Sequence, residues 1–211
     1  MPPGKRGKYL GFVAHEIKNP LATALWSCDL LKRMEGPDRS GERAEKMIDV
    51  SLRALRRMRR LIDDYFTIER LLEGGYELRR EQIGLKDLIA PVLQQLNDKE
   101  GIPTDSWSLE VGDLRTTCDS DMVRKALKAA FEYVAKASPK PRLSITARPG
   151  PVLLVRAETL PQPLLPPDPE DRASGDPTGA ALGFALASRI LEAHGGSIEE
   201  RDGALALLLP A

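Results

Sequence analysis

Apolar and small side chains recur at Leu10, Ala14, Ile17, Leu21, Ala24, Cys28 and Leu31, in steps of four and three. That spacing is a heptad seam and predicts an amphipathic helix from about Lys8 to Met34. Gly36-Pro37-Asp38 stops it. A second seam of Ala44, Ile48, Ser51, Leu55, Met58, Ile62, Tyr65 and Leu72 predicts a helix from near Ser40 to about Leu72, with a polar turn at Glu69 and Gly74-Gly75 as its end. Two long helices with a short connection form an antiparallel hairpin. Alone, such a hairpin buries one side of each helix. Two hairpins from two chains close a four-helix bundle, so a homodimer is expected on physical grounds.

The pattern changes after Gly75. Tyr76 to Leu78 and Ser106 to Val111 read as strands, and Leu85 to Leu96 reads as a helix with Pro91 as an irregularity. Asp119 to Ala137 is a helix with Asp119 or Ser120 as its N-cap. Arg142 to Ala147 and Val152 to Arg156 are strands around a Pro149-Gly150-Pro151 turn. Prolines at 161, 163, 166, 167, 169 and 177 mark a loop. Ala180 to Ala193 is a helix stopped at Gly195-Gly196, and Ser197–Glu200 with Ala204–Leu209 is a hairpin around Asp202-Gly203. The expected fold class is α+β: a helical hairpin over 1–75, then an α/β sandwich over 76–211.

Composition adds exclusions. Lys+Arg and Asp+Glu balance at 31 each, so bulk charge points to no nucleic acid. Cys28 and Cys118 have neither disulfide nor metal-ligand spacing and read as reduced thiols, with Cys28 in the core. No apolar run approaches the length of a membrane span, and no signal-peptide core follows the basic start, Met1 to Lys8. A soluble, cytoplasmic protein is the expectation. Arg53, Arg56, Arg57, Arg59 and Arg60 crowd the second helix as a solvated basic face that can also draw an acidic partner. Trp26, Trp107 and Phe66 read by default as core or hairpin packing, with interface anchoring as the alternative.

The chemistry concentrates in Phe12-Val13-Ala14-His15-Glu16-Ile17-Lys18-Asn19-Pro20-Leu21. With Ala14 and Ile17 on the seam, His15 faces solvent. Asn19 stands one turn further along the same face. Pro20 cannot donate to the Glu16 carbonyl, which loosens the helix there. An exposed imidazole beside a carboxylate can be held in the tautomer that leaves its other nitrogen free for attack. This segment closely resembles the phosphoacceptor box of sensor histidine kinases. The resemblance implies that His15 carries the phosphoryl group, that Glu16 assists its deprotonation, and that Asn19 positions a hydrolytic water. His194, at a helix end, reads as structural.

The resemblance extends across nearly the whole chain, through Glu77 to Leu88, Asp119 to Leu127, and Leu182 to Gly196. It implies a histidine-kinase-type nucleotide domain, but one whose binding residues are mostly missing. The two asparagines of the magnesium-holding box align with Ala129 and Tyr133, and neither offers a hard cation a good oxygen. Glu158 stands in for the adenine-binding aspartate, while Leu160 and Gln162 occupy glycine positions. Gly179 and Gly183 of the last glycine box remain, with Ala181 between them. The vestigial pocket is therefore Tyr133, Glu158, Gly179 and Gly183, and neither ATP nor magnesium is expected as a cofactor of this chain.

The leading expectation is a histidine phosphotransfer protein of a bacterial two-component phosphorelay. A response-regulator receiver docks near His15 and brings its own magnesium. The few residues before His15 leave no room for a sensory domain. Three alternatives stay open: an ATP-dependent histidine kinase, a response-regulator phosphatase using Asn19, and a non-enzymatic module that binds a receiver or a kinase.

Overall fold

The computed structural model describes residues 9–137, 140, 142–161, 163–166 and 180–210. Helix α1 (Leu10–Arg33) and helix α2 (Glu42–Leu72) form the hairpin, joined by a 3-10 turn over Gly36–Ser40. α1 runs unbroken through Pro20. Gly74, at φ +68, ends α2, and the Gly75 amide reaches back to the Arg70 carbonyl at 3.1 Å.

The contact within the chain uses mostly other positions than the predicted seams: of the α1 seam only Ala24 is buried, with Ala14 exposed, and of the α2 seam only Ala44 and Ser51. The side chains buried within the chain are Val13, Glu16, Pro20, Ala24 and Ser27 on α1, and Ala44, Ser51, Ala54, Leu61 and Ile68 on α2. Leu10, Leu21, Ile48, Leu55 and Ile62, which the predicted seams place inside, are exposed. They share an outward apolar stripe with Leu25, Leu52 and Phe66. In a four-helix arrangement each helix needs two contact stripes, so a pattern counted in one dimension merges neighbours that face different ways. Cys28 is likewise exposed, not core. Trp26 and Phe66 are also exposed, at 60% and 59%. Trp107 does pack, edge-on against Phe131 with ring centroids 6.4 Å apart.

The rest of the chain is a helix-on-sheet sandwich. Its elements are β1 (Glu81–Gly84), α3 (Leu85–Glu100), β2 (Ser108–Glu110), β3 (Arg115–Cys118), α4 (Ser120–Ala135), β4 (Leu143–Arg148), β5 (Val152–Ala157), α5 (Ala180–Ala193), β6 (Ser197–Arg201) and β7 (Ala204–Leu208). The main sheet has the order β2-β4-β5-β7-β6, with only β2 and β4 parallel. β1 and β3 make a separate antiparallel pair. The strand expected at Tyr76–Leu78 is absent, and β1 lies a few residues later. β3 carries no apolar run and went unpredicted. The expected proline loop falls partly outside the described residues, which here include only 161, 163 and 166 of its prolines.

Local chemistry sets the boundaries. Asp119 caps α4 by accepting from the Met122 amide at 3.1 Å, and its other oxygen accepts from the Arg79 amide at 3.0 Å. His194 closes the same junction. Its Nε2 accepts from the Asp119 amide at 3.1 Å, and Nδ1 lies 2.7 Å from the Ile190 carbonyl, so its reading as structural holds. A Cβ at Gly196 would stand 2.0 Å from the Leu208 carbonyl, so no side chain fits where α5 meets β7. Asp202 and Gly203, at φ 52 and 63, make the β6–β7 turn.

One apolar core runs through both parts. Tyr9, Val13, Leu61 and Ile68 of the hairpin pack with Leu88, Met122, Leu127, Phe131, Leu153 and Leu191 of the sandwich. Each large side chain so buried contributes about 1.5–3 kcal/mol. Cys118 lies in this core, and burial pushes its thiol up to about 11.

Candidate functional site

α1 holds His15 on its outer face, with the side chain half exposed at 51%. The intrachain seam fixes that azimuth: Val13, Glu16 and Pro20 point inward, so His15 and Asn19 point out. Thr23 donates to the Asn19 carbonyl at 3.0 Å, which adds a side-chain bond to the turn that follows the histidine.

Glu16, the carboxylate that neighbours His15 in sequence, is buried, at 3% exposed. Its Oε1 lies 3.5 Å from His15 Nδ1, and its Oε2 lies 3.5 Å from Arg57 Nη2 on α2. A buried carboxylate without a cation is costly, and Arg57 supplies one. The arrangement runs Arg57 to Glu16 to His15, across the hairpin and out to solvent. Five arginines were visible on the second helix, but only the fold tells which one turns inward. Arg57 is partly buried, whereas Arg53, Arg56, Arg59 and Arg60 are exposed.

A cleft of about 550 Å³ lies between α2, α4 and α5. Ala129, Tyr133 and Gly183, three of the positions matched to nucleotide-binding boxes, line it together. Tyr133 fills space there: its ring packs on Phe184 with centroids 5.0 Å apart, and its hydroxyl donates to the Pro163 carbonyl at 2.9 Å. Ala129 offers the cleft a methyl group, which lies 3.7 Å from where a Cβ on Gly183 would sit. Glu158 is exposed just past β5 and does not line the cleft. Gly179 and Gln162 lie outside the described residues. Magnesium needs oxygen ligands at this helix, and an alanine and a hydrogen-bonded phenol do not fit that need. No group of three or more His, Cys, Asp or Glu among the described residues is placed to hold a metal.

The cleft also holds a residue that sequence reading did not single out. Asp64 of α2 is largely buried, and burial pushes its carboxyl up to about 6 against the opposing pull of Lys125, Lys128 and Arg60. No motif marks it.

An outward histidine stands on a long helical hairpin backed by a helix-on-sheet sandwich. Residues 5–74, about a third of the chain, match the His Kinase A (phospho-acceptor) domain. The Acinetobacter baumannii histidine kinase AdeS has a similar structure, with a TM-score of 0.67 at 17% identity, over 93% of this chain and 98% of that one. At that identity the likeness is one of fold. A mycobacterial sensor histidine kinase, MprB, matches over 61% of this chain and 93% of that one, at 17% identity and a TM-score of 0.44. No curated protein matches the chain in sequence. Among the described residues no helix is long and apolar enough to cross a membrane.

Proposed function

We propose that the protein is a histidine phosphotransfer protein of a two-component phosphorelay, with His15 as the phosphoryl carrier. The observation that carries this reading is the exposed His15 ring backed by the buried Glu16 carboxylate and its partly buried partner Arg57. A proton on Nδ1 faces the Glu16 carboxylate and leaves the Nε2 lone pair pointing outward. In the forward step Nε2 attacks the phosphorus of a receiver's aspartyl phosphate. The N–P bond forms as the acyl O–P bond breaks, and the aspartate leaves as a carboxylate. Glu16 stabilises the cationic ring. The receiver brings the magnesium that offsets phosphoryl charge, and the chain contributes position. A second receiver takes the group by the reverse chemistry.

The protein works as a homodimer in this reading. The stripe of Leu21, Leu25, Leu52, Leu55, Ile62 and Phe66 supports that, because contiguous exposed apolar surface marks an interaction site. Ala129 and Tyr133, which stand at the positions of the two magnesium-holding asparagines, favour transfer over ATP-dependent phosphorylation. Residues 1–75 then serve as the phosphoacceptor and dimerisation unit, and 76–211 as a scaffold derived from a nucleotide domain.

The test mixes the purified protein with a phosphorylated receiver carrying radiolabel. Acid-labile label appears on the wild type and not on His15→Gln. Label from ATP that depends on His15 would mean a kinase. Loss of receiver phosphate to water, with His15 unlabelled, would mean a phosphatase using Asn19. A tight complex without any transfer would mean a binding module.

A further inference from the structure

Charged side chains from both structural units converge on a single carboxylate. Arg60 of α2 spans to Glu100 at the end of α3, and its Nη1 donates to both carboxylate oxygens at 2.9 and 3.0 Å. Lys128 of α4 donates to the same carboxylate at 2.7 Å and lies 3.5 Å from Glu132. The side chains of Glu100 and Lys128 are only 17% and 16% exposed, while Arg60, the member from the hairpin, is half exposed at 52%. Burial alone would push the Glu100 carboxyl up, but the hydrogen bonds from Lys128 and Arg60 outweigh it and hold it below its ordinary value. Water screens such a cluster less than it screens the surface pair Lys86–Asp113, whose side chains are both open to solvent.

The position of the cluster matters as much as its strength. The cleft beside it is roofed by Arg57, Leu61 and Asp64 of the hairpin and floored by Ala129, Tyr133 and Gly183 of the sandwich. The hairpin has its own seam against α1, made by Ala44, Ser51 and Ala54, further along α2 from Arg60. Leu61 and Ile68 supply non-directional adhesion between the units, and the ion pairs supply direction.

We propose that Arg60, Glu100 and Lys128 form a charge latch that holds the hairpin closed over the vestigial pocket, and that its release is a conformational switch built into the chain. In the closed state α2 occupies the side of the pocket from which a ligand would approach, and the sandwich is fixed relative to His15. In the open state Glu100 and Arg60 are solvated, and the pocket face of α4 meets solvent. High salt opens the latch, as does an acidic surface that competes with Glu100 for Arg60. The device does not depend on which way phosphate moves through His15.

Amide hydrogen exchange on the full-length protein tests it. Glu100→Lys places a cation against Arg60 and Lys128. Exchange over residues 57–64 of α2 and 125–133 of α4 then rises about three- to tenfold, as expected for losing a partly buried ion pair. The β4, β5 and β7 amides keep wild-type protection. High salt reproduces the effect in the wild type, and Arg60→Glu combined with Glu100→Lys restores much of the protection. Glu100→Gln, nearly isosteric, gives a smaller increase at the same two segments and serves if Glu100→Lys does not fold. Unchanged exchange at both segments in the Glu100 variants and in high salt would overturn the latch and leave apolar contact as the only hold.

Discussion

Replacing Arg57 by Met keeps much of the stem but removes the cation facing the Glu16 carboxylate. That carboxylate is too buried for water to compensate. Arg57→Met should therefore cost about 1–2 kcal/mol of stability, read as a lower denaturant midpoint, and should slow phosphoryl acceptance by His15. His15→Gln, at a half-exposed site, should leave the midpoint within about 0.5 kcal/mol while abolishing acceptance. Asp64 gives a pH dependence of definite sign. Its carboxyl rises from 3.8 to about 6 on folding, so the folded protein binds the proton more tightly than the unfolded chain. Its ionised form carries a cost above pH 6, and that cost fades as the pH falls towards 4. Asp64→Asn should stabilise the protein at pH 7.5 by on the order of 2 kcal/mol, with little effect at pH 4, in paired denaturation series. Of these residues, only His15, Glu16 and Asn19 were legible beforehand, because a ten-residue segment marks them. Arg57 and Asp64 become special through what lies across from them, which no local segment records.

The elements were read more fully than the contacts between them. α1, α2, α4, α5 and the β6–β7 hairpin announce themselves through period, caps and glycine stops, and α5 falls at its expected bounds. β3 is a short polar strand, and β1 precedes a helix directly, so neither carries an alternating apolar run. The helical seams taught a subtler lesson. Ile48 and Ser51 fit one heptad by spacing, yet Ser51 faces the chain's own α1 and Ile48 faces outward. The outward stripe argues for a partner hairpin. Leu52→Glu with Leu55→Glu places two charges on that stripe and disturbs no intrachain seam. The double variant should run as a monomer by light scattering on a sizing column, where the wild type runs as a dimer, and should keep its helical circular dichroism. A wild type that is itself monomeric would remove the bundle from the account.

The whole molecule joins a hairpin that matches the phospho-acceptor domain to a helix-on-sheet sandwich whose cleft carries Ala129 and Tyr133. The resemblance across the chain makes that combination legible, with Tyr133 aligned to a magnesium-ligand position. That the Tyr133 hydroxyl reaches the Pro163 carbonyl, and that α2 roofs the cleft, required the fold. Calorimetric titration of the wild type with magnesium-ATP should give no binding heat, and binding at physiological nucleotide concentration would argue for the kinase alternative. Scaffold and carrier are then distinguishable by donor. The most direct measurement maps the phosphorylated residue after two parallel incubations, one with a phosphorylated receiver and one with magnesium-ATP. The account predicts acid-labile phosphate on His15 in the receiver arm and none in the ATP arm. Phosphate on His15 from ATP alone, or none from any phosphorylated receiver, would contradict it.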